Sequence, residues 1–412
     1  MTQPWIDPEA VFVDLASTGG DLFWLDAGPD AVTGRSVIGR GIAVSWDEVA
    51  RTRIVADIES DGPTWVGALD YESGARWTGV PNVVPEQEPL WLRVTDAVVF
   101  DHEQHTMRFR GSADFRARVL AARTPAAVPE AGIAVVARAR TAPDEYADLV
   151  AQCRESIRLG DAYQLCLTTR FDVPGHHDPV AVHRRLRRAA ASHHGGFLRV
   201  GETSLVSISP EKFLGIERGV ITTRPIKGTR PRGADADQDA QLAAELQASE
   251  KERAENVMIV DLMRNDLSRV CETGTVRVRG LWEVESYPTV HQLVSTVEGR
   301  LRPELTVGEV LEAVFPAGSM TGAPKLSAMT ILAGLERRPR GLYAGCFGWI
   351  GANGSLDLAM TIRTIVVGPG NATVGAGGGI TWGSIIADEV AEVGIKARTP
   401  LTALGATLPA GW

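Results

Sequence analysis

The alternation of apolar and polar positions changes character about a third of the way along the chain. Residues 1 to about 120 alternate in short stretches, as in Leu90-Trp-Leu-Arg-Val94 and Met107-Arg-Phe-Arg110, which predicts strands and few helices. Ala121 to Ala134 is rich in alanine and proline and marks a boundary. The chain therefore divides into a mostly-β region over 1–125 and a second unit over 140–405. In that unit Pro143, Asp144 and Glu145 open an amphipathic helix carrying Tyr146, Leu149, Val150, Cys153 and Ile157, which Gly160 ends. A strand follows over Ala162 to Phe171. Asp178-Pro179 then opens an arginine-rich helix through Ala191, whose charges read as a solvated face. Ser249-x-x-Glu252 is a capping box that starts a helix to about Leu267. Strands near 276–280 and 290–300 come next, then helices at about 306–315 and after Pro324. Strands near 345–350 and 361–367 and a helix from Ser384 to Ala397 complete the pattern. Strands and helices mixed without strict alternation predict layered α+β architecture, not a doubly wound parallel sheet.

Composition narrows the function. With 412 residues, 44% of them hydrophobic, the chain can bury a large core. A formal charge of −9 excludes a broad nucleic-acid surface, while a small anion remains possible where cations gather locally. No basic stretch followed by an apolar core opens the chain, so no secretory signal is expected. The uncharged run Thr364 to Ala387 contains seven glycines, Pro369 and Asn371, and reads as buried strands and turns, not a membrane helix. Cys153, Cys166, Cys271 and Cys346 lack C-x-x-C spacing, which suits free thiols in the cytoplasm. Of 42 basic residues only Lys212, Lys227, Lys251, Lys325 and Lys396 are lysines. Where arginine supplies charge elsewhere, a retained lysine points to a task needing a deprotonatable amine.

Two helices carry carboxylates in unexpected places. Glu255 shares a stripe with Met258, Ile259 and Leu262, and an acid on an apolar stripe either reaches solvent at the edge or is met by a cation. In the last helix Glu389, Glu392 and Lys396 share one face beside the apolar Ile386, Val390, Val393 and Ala397; Glu392 and Lys396 could equally be a surface pair. If both helices face one cavity, Glu255 and Glu392 offer hard oxygens suited to Mg²⁺. Three loops are built for close backbone approach to an anion: 225–233 around Lys227, 318–325, and Gly375-Ala-Gly-Gly-Gly379. None has the spacing of a nucleotide-binding loop.

Together these features resemble a specific family. Residues 145 to 400 are similar to the chorismate-binding enzymes, which include anthranilate synthase component I, aminodeoxychorismate synthase component I, and the isochorismate and salicylate synthases. The strings carrying the resemblance include Gly160-Asp-Ala-Tyr-Gln-Leu-Cys-Leu-Thr-Thr-Arg-Phe171, Ser209-Pro-Glu-Lys-Phe213, Pro225-Ile-Lys-Gly-Thr229, Ala254-Glu-Asn-Val-Met-Ile-Val-Asp261, His291-Gln-Leu-Val-Ser295, Thr321-Gly-Ala-Pro-Lys325 and Glu389-x-x-Glu392-x-x-x-Lys396. The resemblance implies an anthranilate synthase component I-like fold of layered antiparallel sheets flanked by helices. It also implies a magnesium ion held by Glu255 and Glu392 with Glu389 beside them. Thr321, Gly322, Tyr343, Arg363, Gly377, Gly378, Gly379 and Lys396 match groups that grip chorismate. Glu211 matches the acid that protonates the departing 4-hydroxyl, and His291 a histidine beside the pyruvyl ether.

Two positions bear on the branch. Lys227 resembles the aminodeoxychorismate branch, where such a lysine attacks the ring. Isochorismate and salicylate synthases place a lysine base where this chain has Gln164, which is neutral and cannot activate water. The expectation is amination of chorismate at C4 with ammonia from a separate glutamine amidotransferase subunit, a step toward 4-aminobenzoate and folate. The alternatives are amination at C2 and a binding module without turnover. A free lysine titrates near ~10.4, so Lys227 is expected to be lowered by burial or by the metal. Arg230 and Arg232 read as structural or entrance charges.

Overall fold

The computed structural model describes residues 5–56, 58–60, 62–132, 134–190, 192, 194–287 and 290–412. Two antiparallel sheets share the long strand Leu90–Asp101. Along one edge it pairs with Arg35–Val44, and the first sheet continues through Leu22–Asp26, His194–Val200, Thr203–Ser209, Thr364–Gly368, Asn371–Ile380 and Gln164–Pro174. On its other edge the half from Ala97 to Asp101 pairs with Thr106–Arg110, while the half from Leu90 to Arg93 pairs with Trp65–Leu69. From there the second sheet continues through Cys346–Ile350, Leu356–Met360, Lys212–Glu217, Val220–Thr223 and Val290–Arg300. Val290–Arg300 also pairs with Ile226–Pro231 and Arg277–Ser286.

The sheets face each other across an apolar layer in which Phe23, Leu198 and Leu205 meet Val66, Ala68 and Phe347. Helices Pro8–Ala16, Pro143–Arg158, Pro179–Ala189, Lys325–Glu336 and Ile386–Ala403 cover the outer face of the first sheet. Tyr71–Thr78, Glu250–Ser268 and Val307–Val314 cover the second. The expected layered antiparallel sheets flanked by helices are therefore what the chain forms. Residues on both sides of position 125 contribute strands to the same hydrogen-bonded sheets, so the connector joins two parts of one assembly.

Several local expectations change. The N-terminal part holds the helices Pro8–Ala16, Trp46–Ala50, Tyr71–Thr78 and Ala113–Ala121. Pro8–Ala16 buries Ala10, Val11, Phe12, Leu15 and Ala16, leaving little polar face for a helical period to register. The helix Ala236–Ala248 was also missed; it buries Leu246 alone. Ala191, the expected end of the arginine-rich helix, lies outside the described residues, and the helix spans Pro179–Ala189. Its charges are not all solvated: Arg184 and Arg187 are buried, pairing with Glu9 at 2.6 Å and Asp26 at 2.6 Å. Those acids come from the distant N-terminal part, so helical spacing cannot reveal them. The helix carrying Glu389 spans Ile386–Ala403 and so extends beyond the expected end at Ala397; a Cβ on Gly394 within it would lie 2.9 Å from the backbone carbon of Trp412.

Thr364–Gly368 and Asn371–Ile380 confirm the uncharged run as strands. No helix among the described residues is long and apolar enough to cross a membrane. The four cysteines are buried and free. Gly67 leaves no room against the shared strand, since a Cβ there would lie 2.3 Å from Trp91 Cδ2 and 2.4 Å from the Leu90 carbonyl oxygen. Gly67→Ala should therefore lower unfolding free energy by about 1–3 kcal/mol through overpacking. Urea denaturation measures this, and an unchanged midpoint would mean that Trp91 can yield.

Candidate active site

A cavity of about 490 Å³ opens between the strand Ile226–Pro231, the inner face of Asn371–Ile380, and the helices Glu250–Ser268 and Ile386–Ala403. Lys227 enters it because its strand is irregular. Lys227 pairs with Leu293 and Thr229 with the adjacent Gln292, leaving Gly228 as an extra residue at φ +78°. Such a bulge re-aims the neighbouring side chain, and glycine accepts the left-handed backbone. Glu255 approaches from the helix stripe where spacing placed it, with Oε2 3.5 Å from Lys227 Nζ. The buried Asn256 beside it accepts from Ser295 Oγ at 2.5 Å and donates to the Pro225 carbonyl at 3.4 Å, tying this helix to the Lys227 loop.

The last helix supplies Glu389, Glu392 and Lys396 from successive turns. Lys396 Nζ lies 2.6 Å from Glu392 Oε1 and donates to the Gly377 carbonyl at 2.8 Å. Gly377, Gly378 and Gly379 leave the strand wall bare. A Cβ on Gly379 would sit 2.6 Å from Gln164 Nε2 and 3.4 Å from Lys227 Nζ. Tyr343 rests its ring on Gly375, where a Cβ would come within 2.1 Å of Cγ. Arg363 also lines the cavity, and burial lowers its pKa.

Charge balance sets the protonation states. Burial pushes Glu211 up to about 7, although a Ser319 hydrogen bond and the Lys227 amine favour its ionised form. Glu389 is raised by burial and by Glu392. Glu392 is itself lowered: burial acts against ionisation, but Lys396 and Lys227 outweigh it. Lys227 departs from expectation. Burial pulls its pKa down, yet Glu255, Cys166, Glu211 and Glu392 together leave it above the ordinary lysine value. Three acids surround one amine, and their field prevails over desolvation.

Not every expected residue reaches the cavity. His291 is 1% exposed and points away, with Nδ1 2.8 Å from Ser286 Oγ and Nε2 2.9 Å from Asp239 Oδ1. Side chains alternate along a strand, and its neighbour Gln292 takes the cavity face. Thr321 and Gly322 lie behind the wall. The Thr321 hydroxyl donates to backbone carbonyls of Ala317 and Gly318, and Gly322 pairs with Leu165. Gln164 is buried next to the floor, and both polar atoms of its amide lack a partner among the described residues. Lys325, singled out by the scarcity of lysine, is a structural cation that donates to Asp266 at 2.6 Å. Arg230 and Arg232 pair with Glu245 and Asp239, as structural charges do.

Cys166, Ser319, Met320, Lys251 and Glu252 line the cavity without having been assigned a role. Glu252 was legible in principle, one helical turn before Glu255. Ser319 lies in a short turn whose direction no periodicity gives.

Glu255, Glu389 and Glu392 offer the carboxylate oxygens that magnesium takes, commonly through one or two protein ligands completed by water and substrate. Among the described residues no three acid, histidine or cysteine side chains converge at ligating distance. One carboxylate from each helix lines the cavity, and the chain's own Lys227 and Lys396 face those acids.

The family described as chorismate binding enzyme matches residues 30–402. The chain belongs to that family. An aminodeoxychorismate synthase of Streptomyces pristinaespiralis is 42% identical over 349 residues, covering 82% of this chain and 46% of that relative. The chain thus spans about half the length of that protein. Aminodeoxychorismate synthase component 1 of Klebsiella aerogenes is 39% identical over 333 residues, covering 79% of this chain and 74% of the relative. The crystal structure of anthranilate synthase component I from Streptococcus pneumoniae superposes with a TM-score of 0.79 at 28% identity, covering 90% of this chain and 93% of that one.

A second buried acid gives the stability profile its sign. Glu72 accepts from the backbone N–H groups of Arg340 at 2.7 Å and Gly341 at 3.0 Å, and burial raises it from 4.5 to about 7. A carboxyl that holds its proton more tightly when folded stabilises most below its unfolded pKa. That contribution is lost as pH rises through about 7. Urea midpoints between pH 5 and 8 should therefore fall, and Glu72→Gln should flatten the fall by on the order of 1–3 kcal/mol. An equally steep profile in the variant would remove Glu72 as its source.

Proposed function

We propose that this chain is the chorismate-aminating component of an aminodeoxychorismate synthase, joining ammonia to C4 to give 4-amino-4-deoxychorismate. The proposed setting is cytoplasmic, on the route to 4-aminobenzoate and folate, with a glutamine amidotransferase partner releasing the ammonia. The observation that carries this reading is the Lys227 amine inside the cavity, 3.5 Å from Glu255 and within the field of Glu211. The likeness to relatives named aminodeoxychorismate synthase, at 39–42% identity, supports the C4 branch.

Arg363 and Lys396 place positive charge on the wall where a ring dianion would bind. Lys227, once neutral, attacks C2; both ring double bonds shift by one position and the C4–O bond breaks. Glu211, titrating at about 7, carries the proton that the departing hydroxyl takes. Ammonia then adds at C4 while the C2–N bond to Lys227 breaks. Ammonia enters, water leaves, and the lysine is returned. Two displacements replace one difficult step. A magnesium ion held by Glu255 and Glu392, with Glu389 beside it, would supply charge to a substrate carboxylate and offset the acid that keeps Lys227 protonated. Gln164 has no basic group with which to activate water, which favours amine over water chemistry.

Chorismate, Mg²⁺ and ammonium salt, followed by an aminodeoxychorismate lyase, should yield 4-aminobenzoate. Fluorescent anthranilate without the lyase would instead place amination at C2, the second reading that the anthranilate synthase likeness keeps in view. Lys227→Ala should cut 4-aminobenzoate formation by a factor on the order of 10² or more, the scale of a positioned catalytic group. Chorismate binding, followed by calorimetry, should persist. Near-normal turnover in the variant would end the covalent route.

A further inference from the structure

We propose that Asn256 is the positioning residue of the Lys227–Glu255 pair. Its amide closes a hydrogen-bonded ring with Pro225 and Ser295, and that ring sets where the amine stands against the helix bearing Glu255. The proposal rests on the reading of Lys227 as the attacking amine.

Asn256 is the polar member of an apolar stripe. Along Glu250–Ser268 it shares one face with Val260, Met263 and Leu267, all buried, and it is itself fully buried. A buried amide is costly unless its donor and its acceptor both find partners. Here both do. Nδ2 donates to the Pro225 carbonyl at 3.4 Å, and Oδ1 accepts from Ser295 Oγ at 2.5 Å. Ser295, also fully buried, donates its own N–H to the same Pro225 carbonyl at 3.2 Å. A carbonyl can only accept, so the amide has one orientation in which the ring closes.

The ring joins three segments that meet at the cavity. Asn256 follows Glu255 directly in the helix, and Pro225 lies two residues before Lys227. Ser295 stands two residues after Leu293, the strand partner of Lys227. The other side of Lys227 is held as well, since a Cβ on Gly228 would lie 2.8 Å from Leu246 Cδ1 and 2.9 Å from Glu252 Cδ. Lys227 is therefore fixed before and after its own position, and its amine meets Glu255 at 3.5 Å. A third strand locks the ring. The Trp282 N–H donates to Ser295 Oγ at 3.1 Å from a left-handed backbone, φ +57°. A bulky residue rarely adopts that conformation, and it persists only where its surroundings impose it. Arg253, three residues before Asn256, places its guanidinium carbon 3.9 Å from the centre of the Trp282 ring. An apolar side chain at position 256 would serve the stripe alone. The amide adds a set distance between the helix and the Lys227 strand.

Asn256→Ala should lower kcat by about 10- to 100-fold, the range of a slightly misplaced group, while KM for chorismate stays within about twofold. Rates are taken per chorismate-binding site, counted by calorimetry, so that a merely structural role would lower the number of sites and leave kcat per site unchanged. Asn256→Asp keeps the acceptor for Ser295 but turns an oxygen towards the Pro225 carbonyl, and should lose as much as the alanine variant. Being isosteric, it carries the same test should the alanine variant not fold. Ser295→Ala keeps the Asn256–Pro225 bond and should fall between Asn256→Ala and the native enzyme. Combining Ser295→Ala with Asn256→Ala should cost little beyond Asn256→Ala alone, because one ring is opened once. Losses that multiply in the double variant would overturn the proposal, as would unchanged kcat per site in the Asn256 variants. A rise in KM alone would also overturn it. Lys227→Ala separates the two levels. If it is inactive while both Asn256 variants are normal, only this proposal fails; if Lys227→Ala itself turns over at near-normal rates, the role given to Lys227 fails and this proposal with it.

Discussion

Arg340 carries its charge where water does not reach it, and the surrounding chain is arranged to meet it. Its guanidinium donates to Glu336 at 2.8 Å through both Nε and Nη2, to the Met320 carbonyl at 2.7 Å and to the Cys166 carbonyl at 2.8 Å. Glu336 also accepts from the backbone and hydroxyl of Thr168, and Tyr71 places its ring 4.2 Å beneath the guanidinium carbon. One side chain thereby joins the first sheet, the helix Lys325–Glu336, the Gly318–Met320 turn and the N-terminal helix Tyr71–Thr78. A buried ion pair adds little net stability over an apolar substitute, but it penalises any arrangement that leaves the charge unmet. Its effect here is to specify which elements meet.

The cavity follows the same rule with a looser closure. Acids from two helices stand near amines from a strand and a helix. Glu211 answers burial by holding its proton to about 7, and Lys227 answers its acidic neighbours by holding its own. The resting site thus sets an acid that keeps part of its proton up to neutrality beside a protonated amine. Protonation at Lys227 is therefore a property of its neighbours, not of the residue alone.

Periodicity carried the helices well because a helix repeats its own geometry. Glu255 could be placed on the stripe of Ile259 and Leu262 from spacing alone, and Glu389, Glu392 and Lys396 on one face of the last helix. The capping box at Ser249 likewise marked a real start, with Glu252 N–H donating to Ser249 Oγ at 3.4 Å. Strand residues were harder. His291 and Gln292 are adjacent, and which of them faces the cavity depends on which strands and helices pack against theirs from elsewhere in the chain. The arginines on Pro179–Ala189 looked solvated because their partners, Glu9 and Asp26, lie more than 150 residues earlier in the chain.

The sequence by itself determined the family, the layered α+β class, the helix faces bearing the carboxylates and the unusual retention of Lys227, because each rests on residue identity or local spacing. Tertiary structure alone decided that Glu255 and Glu392 share one cavity, that His291 turns away, that Lys325 is structural and that Ser319 lines the same cavity as Glu211. It also decided the sign of the shift at Lys227. Those outcomes depend on distances between segments far apart in the chain, where burial and opposing charge act through space and leave no periodic trace along the backbone.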